Sequence, residues 1–333
     1  MSALRNLVFK AIRYSGLPFL FREMWQRKQV TIVMLHDPAP GAAEAAFLYL
    51  AKKYNIIGLD DYLEARRNNR KLPPKALIIT LDDGHAGNRA LLPVLEKHKI
   101  PVTIFLCAGI VGTNRRFWFK HKDPAIRTEA LKQVSNREKL EHLAAAGFWP
   151  EREFPTPQAL DAGQIGDLSP CVNFQSHTVF HPCLPKCTYA EARCEIFQSK
   201  QLLEQQYGLR INALAYPNGD YSDRDASLAK AAGYACAITV DYGFNNLKTD
   251  PYRLKRLSID DTDQVDAVCV KAAGVWTLLM NLAGKRRRSG RMDPVPPGME
   301  QKKEPLGQIA SLWLLTALYL TTYSTGIMYP TWA

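Results

Sequence analysis

Apolar residues fall along the chain in two patterns. Short runs that are apolar nearly throughout recur at residues 30–35, 76–80, 102–106, 172–174, 213–215, 235–239 and 254–259. Runs of this length with little alternation suit strands covered on both faces. Between them, residues 44–53, 88–97, 189–207 and 225–232 carry helical spacing. In 189–207, for example, Ala192, Ile196, Ser199, Leu203 and Tyr207 keep one face. Strands alternating with helices predict an α/β fold built on a parallel sheet or barrel, with its chemistry at the carboxyl ends of the strands.

Three segments break the rhythm. At the N-terminus, Leu4, Leu7, Val8, Ala11 and Ile12 recur at helical spacing with Arg5, Lys10 and Arg13 interleaved, and Pro18 ends the pattern. Residues 1–28 are therefore expected to hold an amphipathic helical segment, either packed on the main domain or lying on a membrane surface. Its basic residues interrupt any long apolar run, so no secretory leader is expected. Residues 113–170 interrupt the strand–helix alternation of the main domain, 29–283. Phe117, Trp118 and Phe119 precede a charged helix-like stretch and a segment with Pro155 and Pro157. A long excursion of this kind is expected to cover one face of the barrel. Finally, Lys285, Arg286, Arg287 and Arg288 open a basic, Pro-rich linker at 284–305. An uncharged tail follows at 306–333, and its stretch 309–328 has about the length of a bilayer span.

Charge and cysteine content narrow the function classes. A formal net charge of +11 fits either a basic surface or an anionic partner such as a membrane leaflet. No helix-turn-helix, zinc-finger or RNA-binding signature accompanies it, so nucleic acid is not an expected partner. Seven irregularly spaced cysteines point to free thiols and a cytoplasmic location, possible attachment to the inner face of the membrane included. His181, Cys183, Cys187 and Cys194 lie close in sequence, but without a Cys-x-x-Cys pair they make a poor zinc knuckle.

Two motifs carry chemistry. Thr80-Leu81-Asp82-Asp83-Gly84 ends an apolar run, and two adjacent carboxylates at a strand end call for a cation or a shared proton. His177-Thr178-Val179-Phe180-His181 offers two imidazoles that converge on one ion if the backbone turns. Carboxylate and imidazole are both zinc ligands. Each motif alone is weak, since Asp-Asp-Gly is commonly a turn and His-x-x-x-His commonly chance.

Taken together, and with Ala213-Leu214-Ala215-Tyr216-Pro217-Asn218-Gly219 following, these segments resemble the first three motifs of the polysaccharide deacetylase family, carbohydrate esterase family 4. The resemblance extends over about residues 30–260. It implies a distorted, incomplete (β/α) barrel and an enzyme that removes N-acetyl groups from an acetylated glycan. It further implies one divalent metal, with zinc expected, on Asp83, His177 and His181. Asp82 would be the general base, and Tyr216, Pro217 and Asn218 would form the substrate and oxyanion segment.

Two departures stand out. The family's late Leu-x-His motif is missing, since Arg256-Leu257-Ser258-Ile259 holds no histidine. Met34-Leu35-His36-Asp37, early in the chain, resembles it instead. That arrangement is similar to the circularly permuted branch that includes poly-N-acetylglucosamine deacetylases, and it makes His36 the candidate acid. Asp241 is the candidate carboxylate beside it, with Asp250 as rival. The second departure is Ala215, which stands where many members have an arginine that orients the catalytic aspartate. This leaves two alternatives beside the deacetylase: a same-fold amidase or esterase on a non-sugar substrate, and a non-catalytic glycan- or partner-binding module.

Overall fold

The computed structural model describes residues 3–124 and 126–282; the linker expected at 284–305 and the tail expected at 306–333 lie outside them. In chain order the elements are α1 (Ala3–Tyr14), α2 (Leu17–Leu20), β1 (Val30–Leu35), α3 (Pro40–Lys53), β2 (Asn55–Ile56), α4 (Leu59–Arg67) and β3 (Ala76–Leu81). Next come α5 (Leu92–His98), β4 (Val102–Leu106), α6 (Thr128–Leu131), α7 (Asn136–Ala145), α8 (Ala162–Leu168) and β5 (Val172–Ser176). The last are α9 (Tyr189–Tyr207), β6 (Ala213–Ala215), α10 (Asp223–Ala231), β7 (Cys236–Ile238), β8 (Leu257–Ser258), α11 (Val265–Ala272) and α12 (Val275–Leu282).

The strands form one parallel sheet in the order β7-β6-β5-β4-β3-β1-β8, with β2 paired to β3. The sheet curls into a barrel, and the run at 254–259 reaches both of its ends. Leu254 bridges Ile238 of β7, whereas Leu257 and Ser258 pair with Val33 and Met34 of β1. Sequence pattern predicts one continuous strand here. The structure breaks it because its two ends hydrogen-bond to different strands, and Arg256 N–H between them donates to the Asp241 carbonyl. This irregular closure is the distortion of the barrel.

Strand parity sorts the side chains. Val30 and Ile32 on β1, Ala76 and Ile78 on β3, Phe105 on β4, Ala213 and Ala215 on β6, and Cys236 and Ile238 on β7 form one buried cluster inside the barrel. The alternate residues, among them Val33, Leu35, Leu77, Ile79, Leu81, Ile104 and Leu214, pack outward beneath the helices. Continuing β3 by the same two-residue step, Ile78, Thr80 and Asp82 share the inner face. Helix α9 matches its expected bounds because both ends are written locally. Thr188 and Glu191 make a capping box, and Gly208, at φ 64°, ends the helix. Helix α3 starts four residues before its expected position, since Pro40 sits in the first turn, where the missing N–H costs nothing.

The N-terminal segment belongs to this body. Phe9 is buried against Ala267 and Val270 of α11 and Ala273 just after it, and its ring lies 4.6 Å from that of Trp276. Buried Gln26 ties the segment to three elements, donating to Thr31 Oγ1 and the Ala272 carbonyl and accepting from Tyr54 Oη. The excursion has a small core of its own, made by Trp118, Leu131, Leu143 and Phe148 with Cys183.

Candidate active site

The first motif lies at the carboxyl end of β3. Asp82 turns into the barrel and Asp83 begins the loop, with both side chains buried. Asp83 has φ 75° and Gly84 φ 70°, both left-handed. That φ favours glycine at 84, and a Cβ there would lie 2.5 Å from Leu106 Cδ2, so the buried leucine would have to shift. The second motif follows β5 as a turn, with Thr178 at φ 68° and His181 at φ 56°. Glu195 of α9 pins that turn by accepting from Val179 N and Phe180 N. Burial pushes the Glu195 carboxyl up to about 6 in spite of these bonds. Non-glycine residues held at positive φ cost free energy, and they gather where a site over-determines the backbone.

The two motifs meet as expected. His177 Nε2 and His181 Nε2 each lie 3.5 Å from Asp83 Oδ1. Asp83, His177 and His181 are the one group of three or more His, Cys, Asp or Glu among the described residues whose ligand atoms fall within 4.8 Å of one another. The cysteines near His181 do not join it; Cys187 Sγ instead donates to the Cys183 carbonyl. Hydrogen bonding assigns the imidazole faces. His177 Nδ1 sits 2.8 Å from the Ala215 carbonyl, which can only accept, so Nδ1 carries the proton and Nε2 keeps its lone pair. Burial drives the His181 imidazole down to about 3 against the attraction of Asp83, which leaves it neutral as a ligand must be. Asp83 Oδ1 is buried with no hydrogen-bond partner among the described residues. The bare Nε2 of His177, the Nε2 of neutral His181 and an orphaned carboxylate oxygen together fit a divalent cation.

Three residues to which sequence reasoning gave no role complete the site: Arg256, His85 and Lys120. Arg256, fully buried in the barrel, meets Asp82 in a two-pronged pair, Nη1 to Oδ1 at 2.7 Å and Nη2 to Oδ2 at 2.8 Å. Its Nε donates to the Thr239 carbonyl at 3.0 Å. Burial would raise the Asp82 carboxyl, but the charge of Arg256, with His177, the Arg256 hydrogen bonds and His36, holds it below the usual carboxylate range. The orienting arginine absent at Ala215 is thus supplied by the closing segment of the barrel, and Ala213 and Ala215 present only methyl groups to that interior. The sequence signal was a charge at an inward position of the run 254–259, next to a second charge at Lys255.

His85 and Lys120 act on the other side. Lys120 Nζ can only donate to His85 Nδ1, 3.1 Å away, so His85 Nε2 carries a proton and faces Asp83 Oδ2 at 3.0 Å. Burial would lift the Asp83 carboxyl, yet the His85 bond, His181 and His177 hold it far below its ordinary range. Trp118 Nε1 donates to the His181 carbonyl at 2.8 Å, and the Phe119 ring lies 4.7 Å from that of His181. The excursion therefore braces the site through Trp118, Phe119 and Lys120.

The remaining expected residues are placed less uniformly. His36 follows β1, next to β3 in the sheet, and is half-buried. Its N–H donates to Asp261 Oδ1 and its carbonyl accepts from Asn88. Asp241, the expected carboxylate partner of His36, accepts from Tyr221 Oη, and the carboxylate on the His36 backbone is Asp261. The rival Asp250 caps the turn at Pro251–Arg253 from an exposed position. Tyr216 is enclosed, stacked 5.1 Å from Tyr221 with its hydroxyl on the Tyr252 carbonyl, so its side chain packs and does not face a substrate. Asn218, after Pro217, has φ 57°. Gly219 beside it permits close approach, since a Cβ there would lie 2.7 Å from Val240 N.

A family model described as polysaccharide deacetylase matches residues 69–237, half of the chain and both motifs. The chain belongs to the polysaccharide deacetylase family. It is 22% identical over 192 residues to YxkH of Bacillus subtilis (strain 168), a protein named as a polysaccharide deacetylase; the match covers 57% of this chain and 54% of YxkH, about half its length. Among solved structures, the deacetylase PplD of Streptococcus pyogenes in complex with acetate superposes with a TM-score of 0.54 at 18% identity, covering 73% of this chain and 98% of that one. IcaB from Ammonifex degensii gives 0.55 at 17% identity, covering 74% and 98%. At these identities the likeness concerns the fold: a curled parallel sheet with helices outside, as in other members of the deacetylase family.

Proposed function

We propose that the protein hydrolyses N-acetyl groups on an acetylated amino sugar or polysaccharide, releasing acetate and a free amine. The observation that carries this reading is the buried Asp82–Arg256 pair beside the Asp83, His177 and His181 group. Asp82 Oδ2 lies 3.9 Å from His177 Nε2, so the carboxylate borders the ligand group without being spent in it. A bound divalent ion, for which zinc fits two imidazoles and one carboxylate, supplies Lewis-acid polarisation of the acyl oxygen.

The chain's own residues do the rest. Asp82, kept ionised by Arg256, takes the proton of the attacking water. Arg256 fixes the plane of that carboxylate, so the proton is accepted in one geometry. The backbone N–H of Asn218, after the Pro217 turn, is the oxyanion donor. His36, at the end of β1, donates a proton to the nitrogen as the C–N bond breaks. The acetate in PplD is the acyl product such chemistry would leave, and that supports an acetyl substrate here. Ala215 gave a non-catalytic binding module some weight; Arg256 on Asp82 favours an enzyme.

Incubation with N-acetylated chito-oligosaccharides, with acetate measured before and after chelation, tests this. Acetate release that chelator abolishes is the expected result. Release only from O-acetyl esters or non-sugar amides would move the substrate to the same-fold alternative, and no release from any of them would overturn the hydrolase.

A further inference from the structure

Of the thirteen large apolar side chains exposed among the described residues, nine lie between residues 4 and 25. They fall on three consecutive elements of the N-terminal segment. Leu7 is 63% exposed and Tyr14 71% on α1, Phe19 57% on α2, and Met24 66% and Trp25 55% on the π-helical turn Phe21–Trp25. A helix ordinarily hides its apolar stripe. Here α1 buries Phe9, packs Ile12 beside it, and directs Arg5 to Asp260 and Asp263 and Arg13 to Asp266, leaving Leu4, Leu7, Val8 and Tyr14 outside. A patch of this kind marks an interaction site.

The charges around it name the partner. Lys10, Arg27 and Lys28 are exposed on the same segment, and its one carboxylate, Glu23, is neutralised by Arg22 and Lys75. Cations bordering Leu, Met, Trp and Tyr match the anionic headgroups and the interfacial depth of a lipid bilayer. No single described helix is long and apolar enough to cross a membrane, so the segment would lie along one. We propose that α1, α2 and the turn at Phe21–Trp25 form a docking face for an anionic phospholipid surface, carrying the barrel on the bilayer. The proposal is independent of the deacetylase reading, because none of these residues touches the active site.

Vesicle co-sedimentation of the full chain tests it, using phosphatidylcholine vesicles with and without phosphatidylglycerol. Leu7→Glu/Phe19→Glu reverses the apolar face, Leu7→Ser/Phe19→Ser removes it without adding charge, and Lys10→Glu/Lys28→Glu reverses the cations. All four positions are exposed in the fold, and an unchanged melting temperature would verify folding. Wild type is expected to bind the anionic vesicles. Both double variants of the apolar pair are expected to bind roughly tenfold less or weaker, and the charge variant to lose its preference for phosphatidylglycerol. Binding equal to wild type in the apolar variants would overturn the proposal and assign membrane attachment to the segment after residue 282. A wild-type dimer that Leu7→Glu/Phe19→Glu converts to a monomer, with no vesicle binding, would overturn it in favour of a second copy.

Discussion

Arg256 is the residue on which the site's electrostatics turn. With the guanidinium in place, the folded Asp82 titrates below its ordinary value of 3.8. Its pairing therefore adds stability above pH 3.8, which is lost as pH falls through the depressed folded value. Arg256→Met would leave a buried, unpaired carboxylate whose value rises above 3.8, so that ionising it costs stability as pH rises. Metal-free Arg256→Met should be less stable than wild type by about 3–5 kcal/mol at neutral pH, with the gap narrowing toward pH 3.8. Denaturant unfolding across pH checks this; a gap that does not vary with pH would contradict it. His85 acts on the neighbouring carboxylate. His85→Phe removes the donor to Asp83 Oδ2 and is expected to weaken metal binding about 10–100-fold in a chelator competition. An affinity unchanged from wild type would mean that Asp83 needs no support from His85.

At the scale of elements, legibility followed how local the determinants are. The bounds of β1, β4, β6 and α9 were legible because each is set by its own run or caps. The run at 254–259 was not, because its pairing depends on where β1 and β7 come to lie. The same distinction applies to the site. Asp82, Asp83, His177 and His181 announce themselves as short motifs, whereas the Asp82–Arg256 pair joins residues 174 positions apart and no local pattern encodes it. Helix α4 was missed because its apolar face is only Leu59, Tyr62, Leu63 and Ala65 among charged neighbours. Helix α1 was legible as amphipathic, but its packing partner, α11, was not. That packing is testable: Phe9→Ala opens a cavity beside Trp276 and should cost about 3–5 kcal/mol of stability in denaturant unfolding. A loss below about 1 kcal/mol would mean that α1 is not part of the cooperative fold.

At the scale of the whole molecule, barrel closure decides whether an early histidine can serve where the family uses a late one. β1 lies between β3 and β8, so its carboxyl end opens on the same mouth as Asp82. On that account His36→Ala should keep its metal and lose turnover by roughly a hundredfold or more, the usual worth of a general acid. Near-normal turnover would assign proton donation to another group. The central claim is that Asp83, His177 and His181 hold a divalent metal and that deacetylation depends on it. The most direct test measures metal content and acetate release on the same preparations of wild type, Asp83→Asn and His177→Ala. The account predicts about one equivalent of metal and chelator-sensitive acetate release in wild type, with both lost together in each variant. A His177→Ala protein that keeps its metal, or releases acetate at the wild-type rate without it, would contradict the account.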